Sequence, residues 1–455
     1  MHLHILGICG TFMGGIAQIA RALGHRVTGS DLNVYPPMSD HLQAAGIEIS
    51  SGYSVSHLKP APDLVLIGNA LSRGNEAVEY VLSSGLHYDS GPAWLRQAVL
   101  RDRQVIAVAG THGKTTTTSL ITWLLEANGY QPGYLIGGRA NTFDLTASLG
   151  QGDIFVIEAD EYDTAFFDKR SKFIHYQPDI FIINNLEFDH ADIFNDISDI
   201  QRQFHHAVRT VPANGLIVAN ADSVFIAETL SKGCWTPVQT FGQSAQAEWQ
   251  LQETTSLERY EISRAGDKVA NFHAPIAGLH NAMNTTAAII AASHVGLSME
   301  ECLSALTGFA GVKRRLDNYA DVGDIHLYDD FAHHPTAIRS TLRTMLGINK
   351  SGRTICILEP RSNTMQNGTH RESLKHAFED ADLVYLFEPG DIAWNLQETA
   401  DAIGEKCLCY KEVGDLITAV CDEASDGDHI VIMSNGGFQG LHAKLHAQLL
   451  NRGDQ

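Results

Sequence analysis

In the stretch Gly110-Thr111-His112-Gly113-Lys114-Thr115-Thr116, two glycines, a lysine and several hydroxyls fall where the apolar run Val105 to Ala109 gives way to a helical pattern from Ser119 to Asn128. That combination suits a nucleoside triphosphate. Glycines let backbone N–H groups turn inward on phosphate oxygens, Lys114 supplies positive charge, Thr115 offers a hydroxyl to Mg²⁺, and the helix N-terminus adds its dipole. The longer phosphate-loop pattern would place glycine at position 108, where Val108 stands. What remains is the shortened form Gly-x-x-Gly-Lys-Thr.

Further along, the apolar strand that begins at Gly152 ends in Glu158, Asp160, Glu161 and Asp163. Carboxylates this close repel one another unless a cation shares them, so Mg²⁺ at Glu158 is the favoured reading and a solvated acidic loop the alternative. A second such strand, from Pro178, ends in Asn184, Asn185, Glu187, Asp189 and His190. There a neutral His190 imidazole could complete another metal site. Between the two strands, Lys169, Arg170 and Lys172 sit among Phe166, Phe167 and Phe173, either as exposed surface or as a hold for a carboxylate-bearing substrate.

The N-terminal strand, residues 2 to 9, breaks at Gly10-Thr11-Phe-Met-Gly14-Gly15 ahead of a helix from Ile16 to Leu23, and a second strand ends at Asp31. A dinucleotide fingerprint from Gly7 would need glycine at 9 and 12, where Cys9 and Phe12 stand. The loop can still cradle a diphosphate, and Gly7 to Gly14, Asp31 and Asn69 to Ser72 fall along the strand ends where open α/β sheets bind ligands. Later, His280, Asn281 and Asn284 open a helix of small residues. Their amides suit adenine edges or simple capping equally well. Lys313-Arg314-Arg315 then offers guanidinium groups that match phosphate.

Strands alternating with helices carry these residues, which predicts an α/β chain of three domains. The expected bounds are 1–104 (Rossmann-like), 105–316 (a phosphate-loop ATPase type, with residues 231 to 275 as an appended small β region) and 317–455 (Rossmann-like again). The chain has 455 residues, 44% hydrophobic and 19% charged, with a formal charge of -21. Such an acidic chain argues against a nucleic-acid surface, and no apolar run nears the ~18 residues of a membrane span. Seven scattered cysteines without a Cys-x-x-Cys pair, and a start lacking signal-peptide features, lead to an expectation of reduced thiols in the cytoplasm.

In this order, Gly10-Thr-Phe-Met-Gly-Gly, Gly110-Thr-His-Gly-Lys-Thr-Thr-Thr, Glu158-Ala-Asp-Glu-Tyr-Asp, His280-Asn281-x-x-Asn284, Arg314-Arg315 and Asp329-Asp-Phe-Ala-His-His-Pro resemble the Mur ligases of peptidoglycan synthesis over essentially the whole chain. The resemblance implies an ATP- and Mg²⁺-dependent amide-forming ligase working through an acyl phosphate. It implies UDP-N-acetylmuramate as acyl donor and a murein tripeptide, L-alanyl-γ-D-glutamyl-meso-diaminopimelate, as acceptor, with L-alanine as the alternative. Tyr35-Pro-Pro-Met38, Ala165 to Phe173, Glu359 to Met365 and Ser434 to Phe438 carry the preference for tripeptide.

By family position, Thr115, Glu158 and His190 are metal-linked. Gly110, Thr111, His112, Gly113, Lys114, Thr115, Thr116 and His280 lie on ATP, Asn281 and Asn284 approach adenine, and Asp330 approaches ribose. Arg314, Arg315 and His333 lie by the phosphates, with Lys114, Glu158, His190, Arg315 and His333 as the catalytic set. Gly7, Gly10, Thr11, Gly14, Asp31, Asn69 and Ser72 hold UDP, and Arg361, Ser362 and Asn363 meet the peptide carboxylates. A nicotinamide oxidoreductase and a non-catalytic UDP-sugar sensor are the rivals from other classes.

Overall fold

A computed structural model describes residues 1–254, 259–349 and 351–453. Among the described residues it contains three large sheets and one two-stranded sheet. The first is entirely parallel, built from β1 (His2–Leu6), β2 (Arg26–Asp31), β3 (Glu48–Ser51), β4 (Leu64–Ile67) and β5 (Tyr88–Ser90) in the order β3-β2-β1-β4-β5. Crossover helices such as Thr11–Ala22 and Glu76–Ser84 cover it, and the strand order is that of a Rossmann-like unit.

The central sheet has ten strands. In chain order these are β6 (Gln104–Ala109), β7 (Gly133–Leu135), β8 (Ala147–Ser148) and β9 (Ile154–Glu158). A separate hairpin of β10 (Asp163–Ala165) and β11 (Asp168–Ser171) intervenes, and β12 (Ile180–Ile183), β13 (Leu216–Asn220), β14 (Val238–Gly242), β15 (Trp249–Glu253), β16 (Arg259–Arg264) and β17 (Asp267–His273) follow. The order is β17-β16-β15-β14-β13-β12-β6-β9-β7-β8. The appended β region expected over 231 to 275 is therefore the edge of this sheet, because β14 pairs in parallel with β13 and the antiparallel β15 to β17 extend it. Residues 255–258 of that stretch lie outside the described ones.

The third sheet runs β18-β19-β23-β20-β21-β22, formed by β18 (Asp317–Val322), β19 (Ile325–Asp330), β20 (Thr354–Leu358), β21 (Leu383–Phe387), β22 (Cys407–Tyr410) and β23 (His429–Met433). All its pairings are parallel except that of β18. Among the inner strands, β4, β12 and β21 read as unbroken apolar runs and β6, β9, β20 and β23 nearly so, as strands covered on both faces must. Polar residues of the site stand at the C-terminal ends: Glu158 closing β9, Asn184 after β12, Asp330 on β19, Glu359 after β20 and Ser434 after β23.

Two helices start earlier than their residue pattern suggests. Lys114–Ala127 begins directly after Gly113, and Thr11–Ala22 directly after Gly10. In the first, Thr118 and Thr122 return their hydroxyls to the carbonyls of Lys114 and Thr118, each at 2.8 Å. Threonines are thereby satisfied inside a buried helix where their type alone signals a loop. Leu279–His294 packs beside it through the buried Ala287, Ala288, Ala291 and Ala292.

Candidate active site

The phosphate loop is pinned from below by an amide pair. His112 N–H donates to Asn185 Oδ1 at 2.7 Å and Thr111 N–H to the Asn185 carbonyl at 3.3 Å, while Thr111 Oγ1 accepts from Glu187 N–H at 2.9 Å. Thr111 and His112 therefore hold the loop, and the inward N–H groups expected of them are committed. The opening amides of the helix, at Lys114, Thr115 and Thr116, have no carbonyl one turn back and form the anion-binding end. Gly113 sits at φ +79°, where a Cβ would strike Asn284 Oδ1. Gly110, at φ +140°, lies against the Asn185 backbone.

Lys114 folds back over the loop onto the Gly110 carbonyl at 2.7 Å and pairs with Glu161 at 3.0 Å. Burial works to lower its pKa, yet Glu161, Asp160 and Glu158 outweigh it and leave the ammonium favoured. Glu161 also receives His190 Nε2 at 3.0 Å. Burial opposes its ionisation, but Lys114 and His190 keep the carboxylate below its ordinary range. In return His190, which burial alone would neutralise, is drawn towards its charged form. The ring lies with Asp160 and Glu161, each offering a donor atom within 4.8 Å of the others.

Glu158 stands apart from that group. Its Oε1 accepts from Thr115 Oγ1 at 3.1 Å and its Oε2 from Gly137 N–H at 2.7 Å. Burial pushes its carboxyl above the usual range, and the opposing fields of Lys114 and Arg315 do not offset this. Two hard oxygen donors, one of them a carboxylate needing a positive neighbour, fit Mg²⁺. The expected metal set thus divides into Thr115 with Glu158 and His190 with Glu161.

Of the two arginines, Arg314 is committed elsewhere. Its guanidinium donates to the carbonyls of Ser434 and Gly436 and lies 3.4 Å from Asp329. These contacts tie the linker to the end of β23. Arg315 makes only a 3.5 Å bond to the Arg314 carbonyl and rests over the Phe331 ring at 4.7 Å. Burial lowers its pKa, while Asp330 and Glu158 act against that. His333 donates from Nδ1 to the Phe331 carbonyl at 2.9 Å, and burial holds its pKa at about 4. His280 is likewise held at about 4 by burial, with His112 and Arg315 adding to the effect.

Several expected ligand contacts have become framework contacts. Asp330, expected near ribose, accepts from Leu316 N–H at 2.7 Å and Ala332 N–H at 2.8 Å, one on each carboxylate oxygen. Asn284 accepts from Asn184 at 3.2 Å and donates to Asn281 at 3.3 Å, while Asn281 donates to the Ala277 carbonyl at 2.8 Å. These amides brace the phosphate loop where adenine edges were expected. Asp31 accepts from Cys9 N–H at 2.9 Å and Asn33 N–H at 3.0 Å, so it latches the first loop. Gly7 N–H is taken by the Ser30 carbonyl, and Gly14 lies within the helix with its N–H on the Gly10 carbonyl and its face against Met38. Gly10 and Thr11, at the exposed opening of that helix, and Asn69 and Ser72, just past β4, remain along one rim.

In the third body Ser362 caps the short helix Asn363–Gln366, and Asn363 donates to Asp192 at 3.1 Å. Arg361, half exposed and packed on Gly436, keeps the freest polar side chain of the three expected acceptor residues. The basic residues of the aromatic loop are paired: Lys169 with Asp163, Arg170 with Asp168, and buried Lys172 with Asp160 at 3.2 Å. Glu161, Asn184, Asn185 and Thr364 stood in the stretches read from the sequence but were given no role of their own. The first three end strands beside residues that were given one, and the signal was their position; Thr364, which donates to Asp189 at 2.8 Å, has none.

Residues 2–103 match the catalytic domain of the Mur ligase family, 108–292 the Mur ligase middle domain and 314–436 the Mur ligase glutamate ligase domain. The chain is 50% identical to the UDP-N-acetylmuramate–L-alanyl-γ-D-glutamyl-meso-2,6-diaminoheptandioate ligase of Escherichia coli (strain K12), covering 98% of this chain and 97% of that protein. A UDP-N-acetylmuramate–L-alanine ligase of Methylocella silvestris is 31% identical over 96% of this chain and 95% of its own length. Among solved structures, a murein peptide ligase from Psychrobacter arcticus is similar with a TM-score of 0.76 and 45% identity, covering 99% of each chain. The chain belongs to the Mur ligase family.

Proposed function

We propose that this protein joins the amino group of L-alanyl-γ-D-glutamyl-meso-diaminopimelate to the lactyl carboxylate of UDP-N-acetylmuramate at the expense of ATP. The observation that carries this reading is the 50% identity, over nearly the full length of both chains, to the ligase of that name. ATP donates its γ-phosphoryl group to the carboxylate, giving an acyl phosphate and ADP. The peptide amine then attacks the acyl carbon, and phosphate leaves from the tetrahedral intermediate.

Both steps gather negative charge on oxygen, so electrostatic stabilisation and positioning carry the catalysis. Lys114 and Arg315 supply positive charge, and the opening amides of Lys114–Ala127 cradle phosphate oxygens. Thr115 and Glu158 would hold Mg²⁺, which when bound neutralises charge on the phosphates. Burial keeps His333 neutral and its Nδ1–H is given to the Phe331 carbonyl, which leaves Nε2 as a hydrogen-bond acceptor facing the site. Gly10, Thr11, Asn69 and Ser72 line the rim proposed for UDP, and Arg361 is proposed for a peptide carboxylate. We place the reaction in the cytoplasm, and among the described residues no helix is long and apolar enough to cross a membrane.

Phosphate release with ATP, Mg²⁺ and UDP-N-acetylmuramate tests the reading. Release is expected with the tripeptide and not with L-alanine, and Lys114→Ala should remove it, by at least about a hundredfold if the residue acts as one charge-stabilising donor. Release with L-alanine alone would move the protein to the other branch of the family.

A further inference from the structure

Where the phosphate loop faces the third sheet, four side chains from separate segments converge. His112 comes from the loop, Glu187 from the segment after β12, His334 from the N-cap of the helix Pro335–Ile348, and His370 from the residue before the helix Arg371–Leu374. His112 Nε2 lies 3.7 Å from Glu187 Oε2, and His334 Nδ1 lies 3.4 Å from the same oxygen. One donor atom from each of these three residues is within 4.8 Å of the other two. The His370 ring stands 4.3 Å from that of His334, centroid to centroid.

These separations are too long for good N–H···O hydrogen bonds, which cluster at about 2.7–3.2 Å. They agree instead with ligands around one ion, since bonds of about 2.0–2.1 Å in a tetrahedron set neighbouring donors about 3.3–3.4 Å apart. The Nε2 atoms of His112 and His370 are both buried and have no hydrogen-bond partner among the described residues. Thr336 Oγ1 donates to Glu187 Oε2 at 2.7 Å and fixes the carboxylate, as an outer partner does for a metal ligand. A cavity of about 380 Å³, lined in part by Glu187, His334 and His370, provides the entry path.

We propose that His112, Glu187 and His334 form a site for a divalent transition ion of the zinc class, with the neighbouring His370, whose ring nitrogens lie outside that 4.8 Å group, turning in as the fourth ligand when the ion binds. Three imidazoles and one carboxylate select zinc or cobalt over magnesium, which prefers oxygen. The site is distinct from the Thr115–Glu158 pair and from the Asp160–Glu161–His190 group. Coordination at His334 Nδ1 replaces a cap bond from Thr336 N–H that is long at 3.3 Å. Because its ligands come from the phosphate loop and from the third sheet, a bound ion pins one to the other.

Cobalt titrated into the full chain, with Mg²⁺ in excess, tests this. One Co²⁺ per chain is expected, with the intense visible absorption of a tetrahedral centre that Zn²⁺ abolishes by displacement. Glu187→Gln and His370→Ala should each weaken Zn²⁺ binding by at least about tenfold, while Glu161→Gln, which disables the neighbouring group, leaves it unchanged. Thermal melting followed by circular dichroism confirms that each variant is folded. Absence of the tetrahedral band, or a band lost in Glu161→Gln and kept in both Glu187→Gln and His370→Ala, would overturn the proposal.

Discussion

Lys114 has exchanged the anion it is built to meet for one the chain supplies. Its partner Glu161 is buried and shared with His190, so removing the carboxylate leaves two buried cations facing each other. Breaking such a pair costs about 3–5 kcal/mol when one partner stays behind uncompensated. Glu161→Gln should therefore lower the melting temperature and reduce phosphate release; a variant as stable and active as the parent would show that the pair contributes nothing. A second prediction concerns His4, buried between Thr28 Oγ1 at 2.8 Å and Ser30 Oγ at 2.9 Å. Burial, aided by His2 and His57, lowers its pKa from 6.5 to about 4. The unfolded chain binds a proton here between pH 6.5 and about 4 and the folded chain does not, so the contribution is whole above 6.5 and is lost as pH falls to about 4. Its ceiling is about 3 kcal/mol. The loss of melting temperature between pH 7 and pH 5 should be smaller in His4→Gln than in the parent, and equal losses would refute the assignment. At this scale the sequence showed residue types and concealed partners. Asp31, Asp330 and Arg314 have the chemistry of ligand contacts, yet backbone groups 14 to 122 residues away meet all three, and no spacing rule reports such a pairing.

The element most legible from sequence was the strand, loop and helix around Gly113, because apolar run, glycine and lysine agree at each position. Its helix boundary was less so, since threonines signal a loop until the buried carbonyls that receive their hydroxyls are seen. The same holds at Thr11, where Gly14 and Gly15 suggest a loop but lie in a helix, and the face of Gly15 packs on Leu135 and Ala147. Helix Leu279–His294 explains why Gly113 is glycine, for Asn284 fills the space a side chain would need. Gly113→Ala combines left-handed strain of about 1–2 kcal/mol with that clash. Either the loop or the Asn184–Asn284 bond must yield. The expected result is a melting temperature lowered by several degrees, about 2–4 °C per kcal/mol, together with an ATP-dependent phosphate release reduced at least about tenfold, the loop being about 1.4 kcal/mol or more from its proper shape. Unchanged release at a lowered melting temperature would mean that the loop tolerates the shift.

Across the molecule the two junctions differ in chemistry. One apolar cluster runs without a break from the first sheet into the central one, joining Leu3, Met13, Trp94 and Leu100 to Val105, Phe155, Phe173 and Phe204. The third sheet keeps its own two clusters. Its ties to the central body include Thr364 to Asp189 at 2.8 Å, Asn363 to Asp192 at 3.1 Å and Thr336 to Glu187 at 2.7 Å. Exposing the apolar cluster to water would cost roughly 25 cal/mol per Å², whereas a polar tie exchanged for water costs only about 1 kcal/mol. Of the two domain bounds expected near residues 104 and 316, the first is spanned by shared apolar packing and the second by polar ties, which makes the second the place for a hinge. There Arg314 and Leu316 adopt φ of 60° and 49°, a backbone strained enough to yield. Fluorophores placed at the exposed positions Ser83, Ser231 and Glu398 separate the two cases. ATP with UDP-N-acetylmuramate should change the distance between Ser231 and Glu398 and leave that between Ser83 and Ser231 as it was. A change confined to the Ser83 pair would mean that the apolar junction opens and that the shared cluster does not hold the first two bodies together.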